Sequence, residues 1–225
     1  MQSVLKPEKL RARIKPFGEQ IAESLQREII GGKIKPGQRI IERQLVERFG
    51  VSSIPVREAL QMLESRGLLV RRHNAGCSVI KLAPKEALRI CEIRLLVEPQ
   101  VAAWAAERIT KAASQRLNRQ LDRLEQVAAR GAVDVFFQED IAFHRLIWEA
   151  ADNPYATRSL EMIMGSLFAS GLISGAQRET LNLTAEVAKH RRLAEAISGG
   201  EPEAASRTLI EIASAFERHV SGGAV

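Results

Sequence analysis

The first 82 residues combine short segments of helical and strand-like hydrophobic patterning. Apolar side chains recur every three to four positions in three segments, which predicts helices over residues 16–30, 42–49 and 51–63. Apolar and β-branched residues cluster in three shorter segments, which predicts strands over residues 39–41, 68–72 and 77–82. The pattern therefore indicates a mainly helical unit with a small β component.

Residues 51–63 are the segment around which this unit is organised. Gly50 suits the end of the preceding helix because glycine reaches positive φ without steric cost. Ser52 suits the N-cap, where its hydroxyl would accept a backbone hydrogen bond. Pro55 falls in the first turn, where a missing N–H is no loss. Two helices joined by so tight a turn are typical of a helix-turn-helix, and also of an ordinary αα-hairpin.

The two faces of this predicted helix have different compositions. Three apolar residues repeat at helical spacing and would pack on the preceding helix: Val56, Leu60 and Leu63. The outward positions near its start are Ser53, Ile54 and Arg57. In a helix-turn-helix, such outward residues meet the edges of the bases.

A β-hairpin is predicted directly after this helix. His73-Asn74-Ala75-Gly76 provides residues typical of a turn between the last two strands. The tip is basic and polar, with Arg71 and Arg72 beside it, and suits contact with phosphates or a minor groove. A hairpin in this position is a wing, which favours a winged helix-turn-helix over an αα-hairpin.

From Ala83-Pro84 onward the hydrophobic pattern is helical throughout. The predicted helices cover residues 85–108, 112–130, 133–151, 154–174, 180–197 and 202–220. Pro99 lies inside the first of them and should kink or split it. The predicted organisation is a flexible basic tail over residues 1–15, a DNA-binding domain over residues 16–82, and an all-helical effector-binding and dimerisation domain over residues 83–225.

Charge is distributed unevenly between these two parts. Residues 1–82 contain 16 Lys and Arg against 8 Glu, a net charge of +8, whereas residues 83–225 contain 17 Lys and Arg against 19 Asp and Glu, a net charge of −2. A surface that binds the phosphates of DNA predicts this asymmetry, although a basic solvated face would also produce it.

Composition also bounds the cellular setting. The cysteines, Cys77 and Cys91, form neither a disulfide framework nor a CxxC motif. No apolar run is long enough to span a bilayer, and the basic first residues lack the apolar core of a secretory signal. We therefore expect a cytoplasmic protein with no membrane partner.

Four ionisable residues of the helical part lie on apolar helix stripes: Arg94, Asp140, His144 and His190. Burying such groups is costly unless they are paired or bound. Asp140 and His144 are four residues apart, which places both side chains on one helix face at a workable metal-binding spacing. The alternative is a buried ion pair, for example Arg94 with Asp140, together with hydrogen-bonded core histidines.

Residues 16–82 resemble the winged helix-turn-helix of the GntR family of bacterial transcription regulators. The resemblance is carried by residues 29–34, Pro36-Gly37, Val51-Ser52, residues 55–60 and the glycines at 67 and 76. It implies DNA contacts at the matching positions Arg43, Ser52, Arg57, His73 and Gly76. Ser53 and Ile54 occupy positions where the family usually has Arg and Thr, and they could reach a phosphate, a base edge or a thymine methyl.

Residues 85–220 resemble the all-helical FCD effector domain of the FadR subgroup. The patterns are Arg94-x-x-x-Glu98, Asp140-x-x-Phe143-His144 and His190-x-x-Leu193. The resemblance implies a divalent ion such as Zn, Ni or Mn, held by an aspartate and three histidines and often completed by a small carboxylate. Asp140, His144 and His190 match three ligands, whereas the fourth position is Ile212, which cannot ligate. The same cluster with Arg94 is the implied effector-binding set.

We therefore expect a homodimeric transcription regulator, a repressor, that binds double-stranded operator DNA under the control of a small organic acid. Two other classes remain open from the sequence. One is a metal-dependent enzyme that uses the Asp140 cluster, although no nucleophile or general-base motif accompanies it. The other is a constitutive DNA-binding dimer without an effector.

Overall fold

The structure is a computed structural model that describes residues 15–72, 76–170 and 182–222. The predicted N-terminal tail, apart from Lys15, lies outside the described residues, as do the predicted wing residue His73 and residues 171–181. None of the described helices is both long enough and apolar enough to cross a membrane.

The N-terminal part contains three helices and a three-stranded antiparallel sheet. Its elements in chain order are α1 (Phe17–Ile30), β1 (Arg39–Ile40), α2 (Glu42–Phe49), α3 (Ser53–Ser65), β2 (Leu69–Arg72) and β3 (Gly76–Val79). The central strand is β3, which pairs with β1 through Arg39 and Ser78 and with β2 through Leu69 and Val79. The predicted winged helix-turn-helix architecture is confirmed.

The turn between α2 and α3 forms for the reasons that the sequence indicates, with one exception. Gly50 adopts a left-handed conformation at φ 63°, and its N–H donates to the Val46 carbonyl at 3.0 Å. Ser52 is the N-cap of α3 in an extended conformation, but its hydroxyl makes no capping hydrogen bond, contrary to prediction. Burial of Val56, Leu60 and Leu63 against α1 and α2 therefore positions α3.

The C-terminal part is all helical. Its elements are α4 (Pro84–Arg108), α5 (Lys111–Ala129), α6 (Val133–Ala150), α7 (Pro154–Ala169), α8 (Leu183–Ser198) and α9 (Pro202–Gly222). The longest packing interface joins α4 to α9, while α5 lies against α6 and α8. The predicted fourth helix is too long at its end, because α7 stops at Ala169, and α8 begins after the side-chain cap of Asn182.

Helix α4 continues through Pro99, so the predicted split is wrong. Proline removes one backbone hydrogen bond and crowds the preceding turn, which costs about 3 kcal/mol in an isolated helix. Pro99 is buried, and apolar side chains on both sides of it are also buried: Ala87, Cys91, Val101, Ala102 and Ala105. Tertiary packing on both sides of the proline therefore maintains one helix.

The two parts contact each other through a very close backbone approach. The turn after α3 contains Gly67 at φ 71°, and its carbonyl accepts a hydrogen bond from Ser166 Oγ on α7 at 3.1 Å. A Cβ on Gly165 would lie 1.9 Å from the Arg66 carbonyl oxygen, and a Cβ on Gly67 would lie 2.3 Å from the Met162 carbonyl oxygen. Only glycine at both positions permits this contact.

We predict that Gly165→Ala destabilises the protein. Alanine favours a helix by about 0.5–1 kcal/mol over glycine, but the overlap with the Arg66 carbonyl should cost about 1–3 kcal/mol and outweigh that gain. Urea unfolding of the full chain measures the difference. Ser159→Ala, on the exposed side of α7, is the matched control. A more stable Gly165→Ala variant would contradict the close contact between the two parts.

Candidate functional site

Three ligand-type side chains converge in the interior of the helical part. Asp140 and His144 project from α6, and His190 projects from α8. All three are buried, with exposed fractions of 8%, 1% and 3%. Asp140 Oδ1 lies 2.6 Å from His190 Nε2 and 3.7 Å from His144 Nε2. The structure thus brings together the three residues that the sequence predicted as metal ligands.

Each histidine ring is oriented by a second partner on its other nitrogen. His144 Nδ1 lies 3.0 Å from Glu98 Oε1, and His190 Nδ1 lies 2.8 Å from the Glu186 carbonyl oxygen. With Nδ1 of each ring turned toward these oxygens, Nε2 of each ring is directed toward Asp140. Metal-binding histidines characteristically have such outer partners, which fix the tautomer and the ring plane.

The cluster fits a divalent cation. One ligand atom from each residue lies within 4.8 Å of the others. Tetrahedral ligands of zinc are separated by roughly 3.4 Å, so small side-chain movements would bring the three atoms to that separation. Asp140 Oδ1 and His190 Nε2 are buried and make no hydrogen bond among the described residues, and the same is true of Glu98 Oε1 and His144 Nδ1, although each pair is in close contact. Two imidazoles and a carboxylate suit Zn, Ni or Mn. The residues present could therefore hold such an ion.

Ile212 on α9 lines the same cavity and is 5% exposed. It occupies the predicted position of a fourth ligand, and its side chain contributes only apolar surface. A three-residue site leaves coordination positions for water or for an anionic ligand.

Arg94 on α4 also lines this cavity, but its ion pair is not the one considered from the sequence. Its Nε lies 2.5 Å from Glu98 Oε2, so its salt-bridge partner is Glu98 rather than Asp140. Its guanidinium carbon lies 5.2 Å from the centre of the Phe216 ring. Arg94 Nη1 is buried and has no hydrogen-bond partner among the described residues. A cavity-lining residue therefore has one buried guanidinium donor without a hydrogen-bond partner among the described residues.

Electrostatics within the cluster favour ionised groups. Burial alone would raise the pKa of Glu98, but Arg94 and His144 outweigh it and hold the pKa at about 2. Burial would also raise the pKa of Asp140, and the nearby His190 lowers it overall. Burial would lower the pKa of His190, but the negative charge of Asp140 raises it. Contact between the two side chains therefore favours the charged form of each.

The cavity has a volume of about 70 Å³. Its lining residues are Arg94, Phe136, Phe137, Asp140, His144, Phe168, Glu186, His190, Ile212, Ala215 and Phe216. Sequence reasoning had not identified Glu98 or the four phenylalanines as parts of the site. Glu98 could have been identified as a second ionisable residue four positions after Arg94. The phenylalanines could not, because their spacing is also that of ordinary core residues.

The residues predicted to contact DNA are exposed wherever the structure describes them. Ser52, Ser53 and Ile54 at the start of α3 are exposed, with 66% of Ile54 accessible. The Arg57 Nε donates to Glu42 Oε2 at 2.9 Å, and Arg43 lies 3.6 Å from Glu47. Exposed pairs of this kind contribute only about 0–1 kcal/mol, so both arginines can exchange partners at little cost.

The base of the predicted wing carries a basic residue that the sequence reasoning missed. Gly76 adopts φ 79°, and a Cβ there would lie 3.4 Å from Arg39 Nη2. Arg39 is exposed on β1, beside β3. Arg39 lies next to the wing because β1 pairs with β3. In the sequence, only the predicted strand over residues 39–41 indicated this position.

Comparisons with known proteins identify a family for each of the two parts. Residues 17–79 match the family described as bacterial regulatory proteins, gntR family, and residues 89–215 match the FCD domain. The chain is 29% identical over 199 residues to a protein of Bacillus subtilis (strain 168) named "Uncharacterized HTH-type transcriptional regulator YdhC", covering 87% of each. It is 32% identical over 152 residues to the HTH-type transcriptional repressor RspR of Escherichia coli (strain K12), covering 68% of this chain and 67% of that one.

A solved structure described as E. coli McbR/YncC has the same fold. The TM-score is 0.78 at 22% identity, over 93% of this chain and 99% of that chain.

We predict that the affinity of the protein for zinc rises with pH. The pKa of His190 is raised, so a metal ion must displace its proton, and affinity should rise up to about tenfold per pH unit until pH passes that pKa. The Asp140–His190 pair stabilises the metal-free fold between the lowered pKa of Asp140 and the raised pKa of His190, and this contribution is lost as pH rises through the latter.

Calorimetric titration of chelator-treated protein at about pH 6, 7 and 8 measures this dependence. Ile212→His is the matched variant, and it should bind zinc more tightly at each pH because it restores a fourth nitrogen ligand. Affinity independent of pH, with no gain in Ile212→His, would show that the three residues do not hold a metal.

Proposed function

Because the chain belongs to the gntR family of bacterial regulatory proteins and carries an FCD domain, we propose that it is a transcriptional repressor controlled by a small organic anion. The anion binds in the cavity of the helical part and changes the affinity of the N-terminal part for operator DNA. The observation that carries the effector proposal is Arg94, which lines the cavity beside the Asp140 cluster and whose buried Nη1 has no hydrogen-bond partner among the described residues.

The matched families and relatives are transcription regulators, so the enzyme alternative considered from the sequence is wrong. The chain is a DNA-binding regulator. The relative named a repressor supports repression rather than activation.

Several exposed residues support a DNA-reading role for α3 and the sheet. The exposed residues Ser53 and Ile54 at the start of α3 carry no positive charge. Contacts to phosphates and bases would therefore depend on the nearby arginines, Arg43 and Arg57. We assign the main contacts to Arg57 and Arg43, with further contacts from Ser52 and Gly76 and, by its place in the sequence, from His73. Base contact by an arginine is worth about 1–3 kcal/mol of discrimination.

The chemistry of the cavity supports an anionic effector. An unpaired buried guanidinium donor costs roughly 1–3 kcal/mol, and a carboxylate or similar anion would remove that cost. A divalent ion held by Asp140, His144 and His190 would act as a Lewis acid and attract the same anion. In either metal state, Arg94 orients the ligand through its planar donor group.

Helix α6 supplies the structural route between the cavity and the DNA-binding part. One face carries Asp140 and His144, and the next carries side chains directed toward the N-terminal part. Gln138 Nε2 donates to the Arg27 carbonyl on α1 at 3.3 Å. A second cavity between the parts is lined by Arg66 from one side and Arg145 from the other, among other residues.

Ligand binding that shifts α6 must therefore displace the surface on which α1 and the α3–β2 turn rest. Because Gly67 and Gly165 permit no compression there, a shift of α6 or α7 would move the DNA-binding part as a body. Two linked DNA-binding parts respond to such a movement through the spacing of their reading helices.

We also propose that the protein is a homodimer through its helical part. A single winged helix reads one half-site, so specific binding favours two copies. Helix α4 exposes Ile93 and Leu96, with 51% and 80% of these side chains accessible. Neighbouring large apolar groups on an exposed helix face support an interface there.

Replacing Arg57 with alanine should weaken operator binding by about 1–3 kcal/mol, corresponding to a roughly 5- to 150-fold higher Kd, and should relax preference at one base pair. The reason is loss of a bidentate donor rather than of charge alone. Gel shift on the operator and on single-base variants provides the measurement. Arg119→Ala removes an equal charge from an exposed site on α5 and is the control. Equal losses in both variants would show that Arg57 does not read bases.

Light scattering should give a dimer for the full chain and for residues 83–225 alone. Leu96→Glu should shift the full chain toward monomer at micromolar concentration, because it places a charge in the proposed apolar interface. Ile210→Glu, at another exposed apolar residue, is the control and should remain dimeric. A dimer that survives Leu96→Glu but dissociates in Ile210→Glu would place the interface on a different surface.

A further inference from the structure

The effector cavity has two chemically different sides that together close into one ring of contacts. The polar side comprises Arg94, His144, Asp140 and His190, and Glu98, outside the lining, joins Arg94 to His144. The aromatic side comprises Phe136, Phe137, Phe168 and Phe216. The cavity is therefore amphipathic, with charged groups on one side and aromatic rings on the other.

The aromatic side is continuous. Ring centres are separated by 6.0 Å between Phe136 and Phe137 and by 5.5 Å between Phe137 and Phe168. The centres of Phe168 and Phe216 are 6.0 Å apart. The two ends meet the polar side, because Arg94 lies over Phe216 and the Phe136 ring centre is 6.5 Å from that of His190. A bound molecule would therefore have aromatic carbon along one whole side.

Few polar atoms of the described lining are available to a ligand. Asp140, His144 and His190 face one another, and would face a metal ion if one were bound. The Glu186 carbonyl accepts from His190, and its carboxylate accepts from Lys189 at 2.7 Å. Arg94 Nη1 is buried without a hydrogen-bond partner among the described residues, whereas the other such nitrogens of the lining, His144 Nδ1 and His190 Nε2, lie against Glu98 and Asp140.

The fourth-ligand position strengthens this apolar character. Ile212 and Ala215 fill the α9 side of the cavity with hydrocarbon, next to Phe216. The volume of about 70 Å³ holds only about five to seven water-sized groups. An acid with several hydroxyl groups would have to place them against phenylalanine and isoleucine without partners, which weakens binding by roughly tenfold for each unmatched hydroxyl.

We infer that the cavity selects small monocarboxylates with a branched or otherwise compact hydrocarbon body over polyhydroxylated acids of the same size. The inference rests on the proposed function, since it specifies the anion that the site binds. The carboxylate pairs with Arg94 Nη1 at the polar side, and the hydrocarbon body packs against the aromatic side. A single available guanidinium donor matches one carboxylate rather than two.

The test compares two acids with equal numbers of non-hydrogen atoms on the full chain, with zinc and after chelation. The probes are 3-methylbutanoate and glycerate, with 3-methylbutanamide as the uncharged control. Calorimetry should give at least tenfold tighter binding for 3-methylbutanoate than for glycerate, and no measurable binding of the amide. The wild-type series is decisive without any variant.

Variants of Phe216 locate the preference in the aromatic side. Phe216→Leu keeps a hydrocarbon surface and should preserve the ratio of the two affinities within about threefold, whereas Phe216→Asn should reduce that ratio about tenfold. Thermal melting of each variant establishes that it folds.

Each remaining outcome has a definite meaning. Glycerate binding that equals or exceeds that of 3-methylbutanoate overturns the inferred ligand class, while an anionic effector in the cavity stands. Failure of both acids to bind, in either metal state, together with unchanged operator affinity, overturns the effector proposal and the inference with it.

Discussion

The structure depends on satisfying ionisable groups in the interior of an otherwise apolar helical bundle. Arg94, Glu98, Asp140, His144 and His190 are each at most 8% exposed, and an unpaired charge there would cost several kcal/mol. Their mutual contacts connect α4, α6 and α8 through one continuous polar chain. Hydrogen bonding along this chain is incomplete at Arg94 Nη1 and at the Glu98–His144 and Asp140–His190 contacts, and the proposed anion would supply a partner for Arg94. The same buried ionisable residues therefore join the helices of the bundle and form the proposed ligand site.

That coupling reaches the DNA-binding part because α6 and α7 serve both regions. Asp140 and Phe168 line the cavity of the helical part, whereas Gln138 and Gly165, on the same two helices, contact the N-terminal part. Backbone atoms meet at Gly67 and Gly165 with no space for a side chain. Tightly packed interfaces respond to displacement by moving as bodies rather than by compressing. The proposed regulation therefore needs only a small displacement of two helices.

Much of the fold and part of the site could be predicted from local pattern. The order of helices and strands and the inward faces of α6 and α8 follow from hydrophobic periodicity, and the turn at Gly50 follows from the freedom of glycine to adopt positive φ. Asp140, His144 and His190 were identified because an ionisable residue on an apolar stripe is conspicuous in one sequence. The split at Pro99 was wrong because buried neighbours on both sides outweigh a local cost. Arg94 was paired with the wrong carboxylate, since periodicity gives the face of a residue and not its partner.

By itself, the sequence determined the two-part architecture, the basic charge of the DNA-binding part and the ligand-type residues of the site. These properties depend on residue order over one or two helical turns. Only the tertiary structure decided that Glu98 orients His144, that four phenylalanines form one side of the cavity and that Gly67 lies against α7. Phe136 and Phe216 are 80 positions apart in the chain. In the sequence, a phenylalanine in a cavity wall has the same hydrophobic spacing as one in a filled core. Which of these rings line empty space depends on how the helices pack, because packing places residues that are distant in sequence around the same cavity.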